Sequence, residues 1–353
     1  MTTIKEIARL CNVSVATVSN IINDKPNVGD KTRRRVLKVM EELDYTPNYV
    51  AKNLKMRHTR SIGVIAEDMT VFSIPDIIDG ITKHCEEEDY QILLFNLRLY
   101  KKYQDSYFRS TDFYGKVERE IKDLMGKQVE GIIYVAAHER KIGCIPEHLP
   151  IPTVMAYGYS GTKKTPSVVV DDFDGAYKIV EYLISQGHSD IGVITGKLDS
   201  IHMQARLEGY QQALFDYEIL YDPQLVYTGD WLRESGYRNT EDLIKQGVTA
   251  IFCMNDIMAG GVYDKLEELG LVAGRDISVV GFDSLELSEY YKPALTTVQL
   301  PLHDIGYRAS EIMQELLGNR GERVEPLGEG GAGDGVYPIR CKLLVRGSVH
   351  TLS

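Results

Sequence analysis

From Ser61 onward the chain alternates between short, unbroken apolar runs and longer stretches whose apolar residues recur three and four apart. The runs cover residues 62–65, 92–95, 131–135, 153–155, 168–170, 191–194, 250–253, 277–280 and 296–298. Unbroken runs of this length suit parallel strands buried on both faces. Helical patterns lie between most of them, for example over 177–186 and 257–269. Strands alternating with helices predict a doubly wound α/β body. Nine strands in about 290 residues fit two lobes better than one sheet. Ligands of such sheets sit beyond the carboxyl ends of the strands. Here those ends carry Glu67-Asp68, His138, Tyr157, Asp171-Asp172, Asn255-Asp256 and Asp283.

The first sixty residues follow a different rhythm. Thr3 and Glu6 form a T-x-x-E capping box. Ile4, Ile7, Ala8 and Cys11 then mark one apolar stripe of a helix. Asn12 tolerates the left-handed backbone of a sharp turn. Ser14 can cap a second helix, in which Val18 and Ile22 pack inward and Val15, Ala16, Ser19 and Asn20 face outward. A third helix is expected over 31–44, with Arg33, Arg34, Arg35 and Lys38 available to phosphates. Two short helices joined by a tight turn make a helix-turn-helix, whose second helix enters the DNA major groove.

Charge divides the chain at the same place. Residues 1–60 hold twelve Lys/Arg and six Asp/Glu, near +6. The full chain's 40 basic and 51 acidic residues leave 28 and 45 for the remainder, near −17. A basic head on an acidic body implies that only the head meets a polyanion.

At this point the residues resemble a family. "TIKEIARLCNVSVATVSNIINDKPNV" followed by "TRRRVLKVMEELDYTPNYVAKNLK" is similar to the head of the LacI/GalR transcription regulators, and the likeness continues through "RSIGVI" over nearly the whole chain. The resemblance implies an all-α helix-turn-helix head plus an α/β two-lobed, periplasmic-binding-protein-like effector domain with doubly wound parallel sheets. The expected divisions are a head over 1–46, a hinge over 47–60 and a body over 61–353. The N-lobe would take about 61–158 and 292–323, the C-lobe about 159–291 and 324–353. The resemblance places DNA contacts on Thr3, Ser14, Val15, Ala16, Thr17, Ser19, Asn20, Asn27 and Tyr45. In the hinge it places them on Ala51, Lys52, Leu54 and Lys55. The hinge pattern is too short to be a stable helix alone in water. In the family it folds on DNA, and a leucine, here Leu54, wedges between base pairs of the minor groove.

In the body, "ITGKLDSIHMQARLEGY" resembles the segment whose arginine reaches the effector cleft, which puts that role on Arg206. "GDWLRESGY" gives an aromatic wall at Trp231, "FCMNDIMAGGV" a cleft amide at Asn255 with Asp256 as the helix cap, and "VVGFDSLELSEY" a hydroxyl-binding carboxylate at Asp283. "FSIPDII" matches Phe72 to the apolar wall of the N-lobe. His202, one turn before Arg206, joins the expected effector-binding set, as does Tyr157. The sequence also departs from the family. Asn20 stands where arginine is common, and Asn favours adenine over guanine. Tyr157 replaces a common acidic residue, and Leu300 a polar residue of the galactoside binder. Residues 96–115 form a long tyrosine-rich excursion, read as a surface loop, a cleft lid or a partner surface. The glycine-rich stretch 328–335 lacks the Lys-Ser/Thr and helix of a phosphate cradle.

The remaining chemistry is mostly exclusion. Five scattered cysteines (11, 85, 144, 253, 341) without C-x-x-C suit reduced thiols in a cytoplasm. Dispersed histidines suggest no metal, and no cofactor is expected. No nucleophile elbow is present, so no catalytic residue is assigned. No apolar run suits a signal peptide or membrane span. The family's C-terminal leucine heptads are lacking, so a homodimer on a pseudo-palindromic double-stranded operator is expected. The reading is a transcriptional repressor of sugar-metabolism genes, controlled allosterically by a small sugar or sugar derivative. The alternatives are control by a protein corepressor, a sugar-binding transport or receptor protein, and an enzyme.

Overall fold

A computed structural model describes residues 3–22, 25–45, 59–108, 110–146, 148–160, 162, 165–318 and 335–352. The hinge expectations at Ala51, Lys52, Leu54 and Lys55 therefore lie outside the described residues, as does most of the glycine-rich stretch. The chain divides into two units, Met1–Thr59 and Arg60–Ser353.

The head contains α1 (Ile4–Leu10), α2 (Val15–Ile22) and α3 (Asp30–Glu42). The stripe read from sequence is its core: Ile7, Ala8, Cys11, Val18, Ile21 and Val36 are buried. Ile21 takes the inward place expected of Ile22, which is only half-buried, because the α2 face follows an i, i+3 step rather than i, i+4.

In the body, β1 (Ser61–Ala66), α4 (Ser73–Glu87), β2 (Gln91–Asn96), α5 (Leu99–Tyr103), a 3-10 turn (Gln104–Phe108), α6 (Tyr114–Gly126) and β3 (Gly131–Val135) come first. Next are β4 (Lys141–Ile142), β5 (Thr153–Ala156), β6 (Tyr159–Ser160), β7 (Ser167–Asp171), α7 (Asp172–Ser185), β8 (Ile191–Thr195) and α8 (Ile201–Asp216). Then follow β9 (Val226–Thr228), α9 (Arg233–Lys245), β10 (Ala250–Cys253), α10 (Asp256–Glu268), β11 (Ser278–Val280) and α11 (Leu287–Tyr290). The last elements are β12 (Thr297–Gln299), α12 (Leu302–Gly318), β13 (Val336–Arg340) and β14 (Lys342–Leu344).

A six-stranded parallel sheet has the order β13-β7-β5-β3-β1-β2. A four-stranded parallel sheet has the order β11-β10-β8-β9. Each sheet forms one lobe. All nine apolar runs became strands, but two expectations about them change. Residues 167–171 and 336–340 pair within the first sheet, so the chain leaves that lobe at Asp171–Asp172 rather than near 158. β12 pairs antiparallel with β14 and bridges to the end of β11, so it belongs with the second lobe although it lies within the stretch assigned to the first. An apolar run reports burial on two faces, not which sheet supplies the neighbours. For the same reason β2, expected to be fully covered, is an edge strand with Leu94 exposed.

Gly306 and Gly209 are among the glycines that set the helix packing. A Cβ on Gly306 would lie 1.9 Å from the Ile77 carbonyl, so α12 crosses α4 backbone to backbone. A Cβ on Gly209 would lie 2.4 Å from the Phe173 carbonyl, which fixes α8, the carrier of His202 and Arg206, against α7. The five cysteines are all buried and unpaired. Among the described residues no helix is long and apolar enough to cross a membrane.

Candidate functional sites in the head and in the cleft

The head presents the N-terminal end of α2. Thr3 Oγ1 caps α1 by accepting from the Glu6 amide at 3.3 Å, and Asn12 adopts the left-handed backbone, φ 47°, that the turn requires. Ser14 Oγ accepts from the Thr17 amide at 3.0 Å and shares a 2.8 Å hydrogen bond with the Thr17 hydroxyl. Val15, Ala16 and Asn27 are exposed, whereas Ser19 and Asn20 are half-buried beside them. Tyr45 packs against the head core. Of the basic run, Arg34 and Arg35 are exposed, but Arg33 donates to the Lys25 carbonyl at 2.6 Å and so braces the loop before α3.

In the body the expected effector residues converge at the carboxyl ends of the strands. Arg206, only 2% exposed, donates through Nε to Asp172 Oδ1 at 2.7 Å and through Nη1 to the Met254 carbonyl and, at 3.3 Å, to Asp283. Its guanidinium lies over Phe282, 3.7 Å from the ring centre, and 5.8 Å from that of Trp231. His202 Nδ1 pairs with Asp172 Oδ2 at 2.5 Å, and Tyr157 packs beside the imidazole at 5.6 Å between ring centres. Trp231 packs against Gly196, where a Cβ would fall 1.9 Å from the indole. Tyr157, Trp231 and Asp283 all have positive φ, at 59°, 73° and 101°. Each such conformation costs about 1–3 kcal/mol and persists where the surroundings hold it, commonly at a site that uses it.

Asn255, not Asp256, is the helix cap. Asn255 caps α10 by accepting from the Met258 amide at 2.8 Å and donates to the Trp231 carbonyl at 3.1 Å, so it positions the tryptophan loop. Asp256 is fully buried, bonded to Thr297 Oγ1 at 2.6 Å and to the Leu285 amide at 2.7 Å. Burial, helped by the charge of Asp283, pushes its carboxyl up to about 8. Phe72 stays 44% exposed at the start of α4 and, among the described residues, shares none of the cluster's hydrogen bonds or ring contacts.

Sequence reasoning missed two charged groups of the first lobe, Glu139 and Arg140. Glu139 is buried and accepts from the Val170 amide at 3.1 Å. Arg140 forms a two-pronged pair with the fully buried Glu67, at 2.6 and 3.0 Å. The tyrosine-rich excursion packs on that pair. Arg140 lies over Tyr107 and Phe108 at 5.0 and 5.3 Å, and Phe108 meets His138 edge-on. Tyr107, Leu97, Leu99 and Phe113 are buried, so this stretch is part of the lobe's core rather than a surface loop. Glu139 left no mark in the pattern because it lies in an irregular loop past β3.

Burial alone would raise Asp172, but Arg206 and His202 outweigh it and hold the carboxyl below its ordinary range. Burial opposes the charge on His202, yet Asp172 and Glu139 raise it above the usual imidazole value. Asp283 is pushed up to about 6, chiefly by burial and against the pull of Arg206. The cleft thus has a buried, charged floor with an aromatic wall.

Residues 3–48 match the bacterial regulatory proteins of the lacI family, and residues 180–348 match a periplasmic binding protein-like domain. The chain is 31% identical over 358 residues to the HTH-type transcriptional repressor PurR of Vibrio atlanticus, with all of both chains covered. The chain belongs to the LacI/GalR family. Its similarity to the PurR of Escherichia fergusonii is 33% over 332 residues, covering 93% of this chain and 94% of that one. Among solved structures, the lac repressor dimer bound to operator and the anti-inducer ONPF matches with a TM-score of 0.76 and 25% identity, covering 99% of both chains. The family accounts for both sites at once, an exposed helix-turn-helix and a two-lobed body with a polar cleft.

Proposed function

We propose that the protein is a transcriptional repressor that reads a pseudo-palindromic operator as a homodimer and whose operator affinity is set by a small sugar or sugar derivative in the cleft. The observation that carries the reading is the buried Arg206, held by Asp172 and turned toward Asp283 beneath Trp231. Guanidinium and carboxylate offer a donor and an acceptor to ring hydroxyls, and an indole covers the apolar face of a sugar ring. DNA contacts fall on Ser14, Val15, Ala16, Thr17, Ser19, Asn20 and Asn27, with Thr3 and Tyr45 supporting the helix pair. The hinge residues Ala51, Lys52, Leu54 and Lys55 complete the contact in the minor groove. Control is linkage: a ligand favouring one lobe angle shifts the dimer between DNA-binding and released states. Operator must alter ligand affinity by the same factor.

The test begins with an operator selected from random duplexes. Thermal shift of the full-length protein is then measured against mono- and disaccharides and, in a second panel, purine bases, which the same donors and aromatic wall also suit. Ligands that shift melting are titrated into the operator complex, and Asp283→Ala is expected to abolish the ligand-induced change in affinity. If only a purine responds, the sugar assignment fails while the cleft assignment stands. If no small molecule changes melting or operator affinity, control belongs to a protein partner.

A further inference from the structure

The cleft floor holds more charge than one arginine and one aspartate need for gripping a neutral ring. Glu139 arrives from the loop after β3 in the first lobe, while His202 and Arg206 come from α8 and Asp283 from the segment after β11 in the second. Asp172 stands at the crossing between the lobes. Glu139, Asp172 and His202 each place one nitrogen or carboxylate oxygen within 4.8 Å of the others. All three are at least nine-tenths buried, and His202 Nε2 has no hydrogen-bond partner among the described residues. The adjoining Glu67–Arg140 pair neutralises itself. Tyr157, Tyr159 and Cys341 face the same cluster and stay neutral, because burial pushes each of them up.

Burial keeps Asp256, beside Asp283, protonated at pH 7; with the other groups ionised, Arg206 and His202 set two positive charges against the three negative charges of Asp172, Asp283 and Glu139. One negative charge is in excess, among groups that are largely buried. We propose that the cleft admits uncharged effectors rich in hydroxyl or N–H donors and rejects phosphorylated or carboxylated ones, with Glu139 supplying the deciding negative charge. This rests on the effector reading above and narrows it.

Like charges brought together without water strongly disfavour binding. A donor hydrogen-bonded to a carboxylate, in contrast, stabilises its ionised form. Burial is the largest influence on Glu139 and Asp172 adds to it, while His202, the Val170 amide and Tyr159 pull the other way. The outcome is a carboxyl raised to about 7. Asp283, raised to about 6, is the other partly protonated group. Binding of a neutral donor therefore displaces a proton, and affinity rises with pH between 6 and 8.

The experiment uses the full-length protein and matched pairs: glucose and glucose 6-phosphate, ribose and ribose 5-phosphate, adenine and adenosine monophosphate. Thermal shift ranks them and calorimetry at pH 6 and pH 8 measures affinity and proton release. In any pair that binds, the uncharged member is expected to be preferred by at least about tenfold, a difference of about 1.4 kcal/mol. Glu139→Gln should narrow that preference and flatten the pH dependence. His202→Gln, which removes a positive charge, should widen the preference. A phosphorylated member that binds more tightly than its parent overturns the proposal.

If no pair shifts melting, the effector reading fails on its own terms, and ligand-free protein still decides the charge assignment. A carboxyl raised in the folded state contributes stability that is present below its unfolded value and lost as pH rises through the folded one. The wild type should lose stability between about pH 4.5 and 7 more steeply than Glu139→Gln. Equal slopes overturn the assignment.

Discussion

Replacing Arg206 with methionine tests the energetics of the cleft most directly. The substitution keeps much of the side chain's length and apolar contact with Phe282, but deletes the hydrogen bonds to Asp172, Met254 and Asp283. Asp172 keeps only His202, and Asp283 loses its charged partner. Removing one member of a buried ion pair typically costs about 3–5 kcal/mol, because the other charge is left in the interior. With the arginine side chain only 3% exposed, solvent screening reduces this little. At about 2–4 °C per kcal/mol for a domain approaching this size, melting of the body should fall by roughly 6–20 °C at pH 7.5. The sign of the pH dependence follows from Asp172. In the wild type its carboxyl is held low, which gives stability present above its unfolded value and lost as pH falls through the folded one. That contribution is intact at pH 5, but in the variant burial of Asp172 is no longer opposed by Arg206, so its carboxyl rises and takes up a proton on acidification; the deficit should therefore shrink toward pH 5, helped by protonation of Asp283. Adding Asp172→Asn should recover part of the loss, since deleting both members of a pair is far milder than deleting one. Melting curves at pH 5.5 and 7.5 measure all of this. A single variant within 2 °C of wild type at pH 7.5, or a deficit that grows on acidification, would refute the reasoning.

Gly209→Ala should destabilise the body by about 1–3 kcal/mol by urea denaturation, because the new methyl meets a backbone carbonyl rather than a movable side chain. A neutral result would show that α7 and α8 can separate freely. Asn20→Arg should shift one half-site position of the selected operator from adenine toward guanine, and an unchanged sequence preference would remove Asn20 from base reading.

The parts of the molecule governed by periodicity were legible in its residues. The head's apolar stripe, its capping threonine and the left-handed Asn12 follow from local rules, and all three are present. The strands were likewise readable, but their sheet membership was not. The run at 168–170 looks alike whether its neighbour is β5 or β8, and that choice moved the lobe boundary to Asp171–Asp172. In the cleft, Arg206, Asp283 and Trp231 came from resemblance to relatives and His202 from its place one turn before Arg206, and the four do gather in one place. Glu67 was placed at a strand end, but Glu139 and the pairing of Glu67 with Arg140 were invisible, because both come from contacts between segments apart in the chain. Asn255 and Asp256 show a subtler limit. Both types suit a helix N-terminus, and only the packing of Thr297 and Leu285 decides which one turns inward.

The burial of all five cysteines gives the molecule a built-in set of timers. Cys11 lies in the head core, Cys85 and Cys144 in the first lobe, Cys253 in the second, and Cys341 where the chain passes between them. A thiol reagent can reach each one only when its own surroundings open. Labelling rates followed by mass spectrometry would then rank the openings of head, lobes and crossing in a single unmodified protein, with and without operator or ligand.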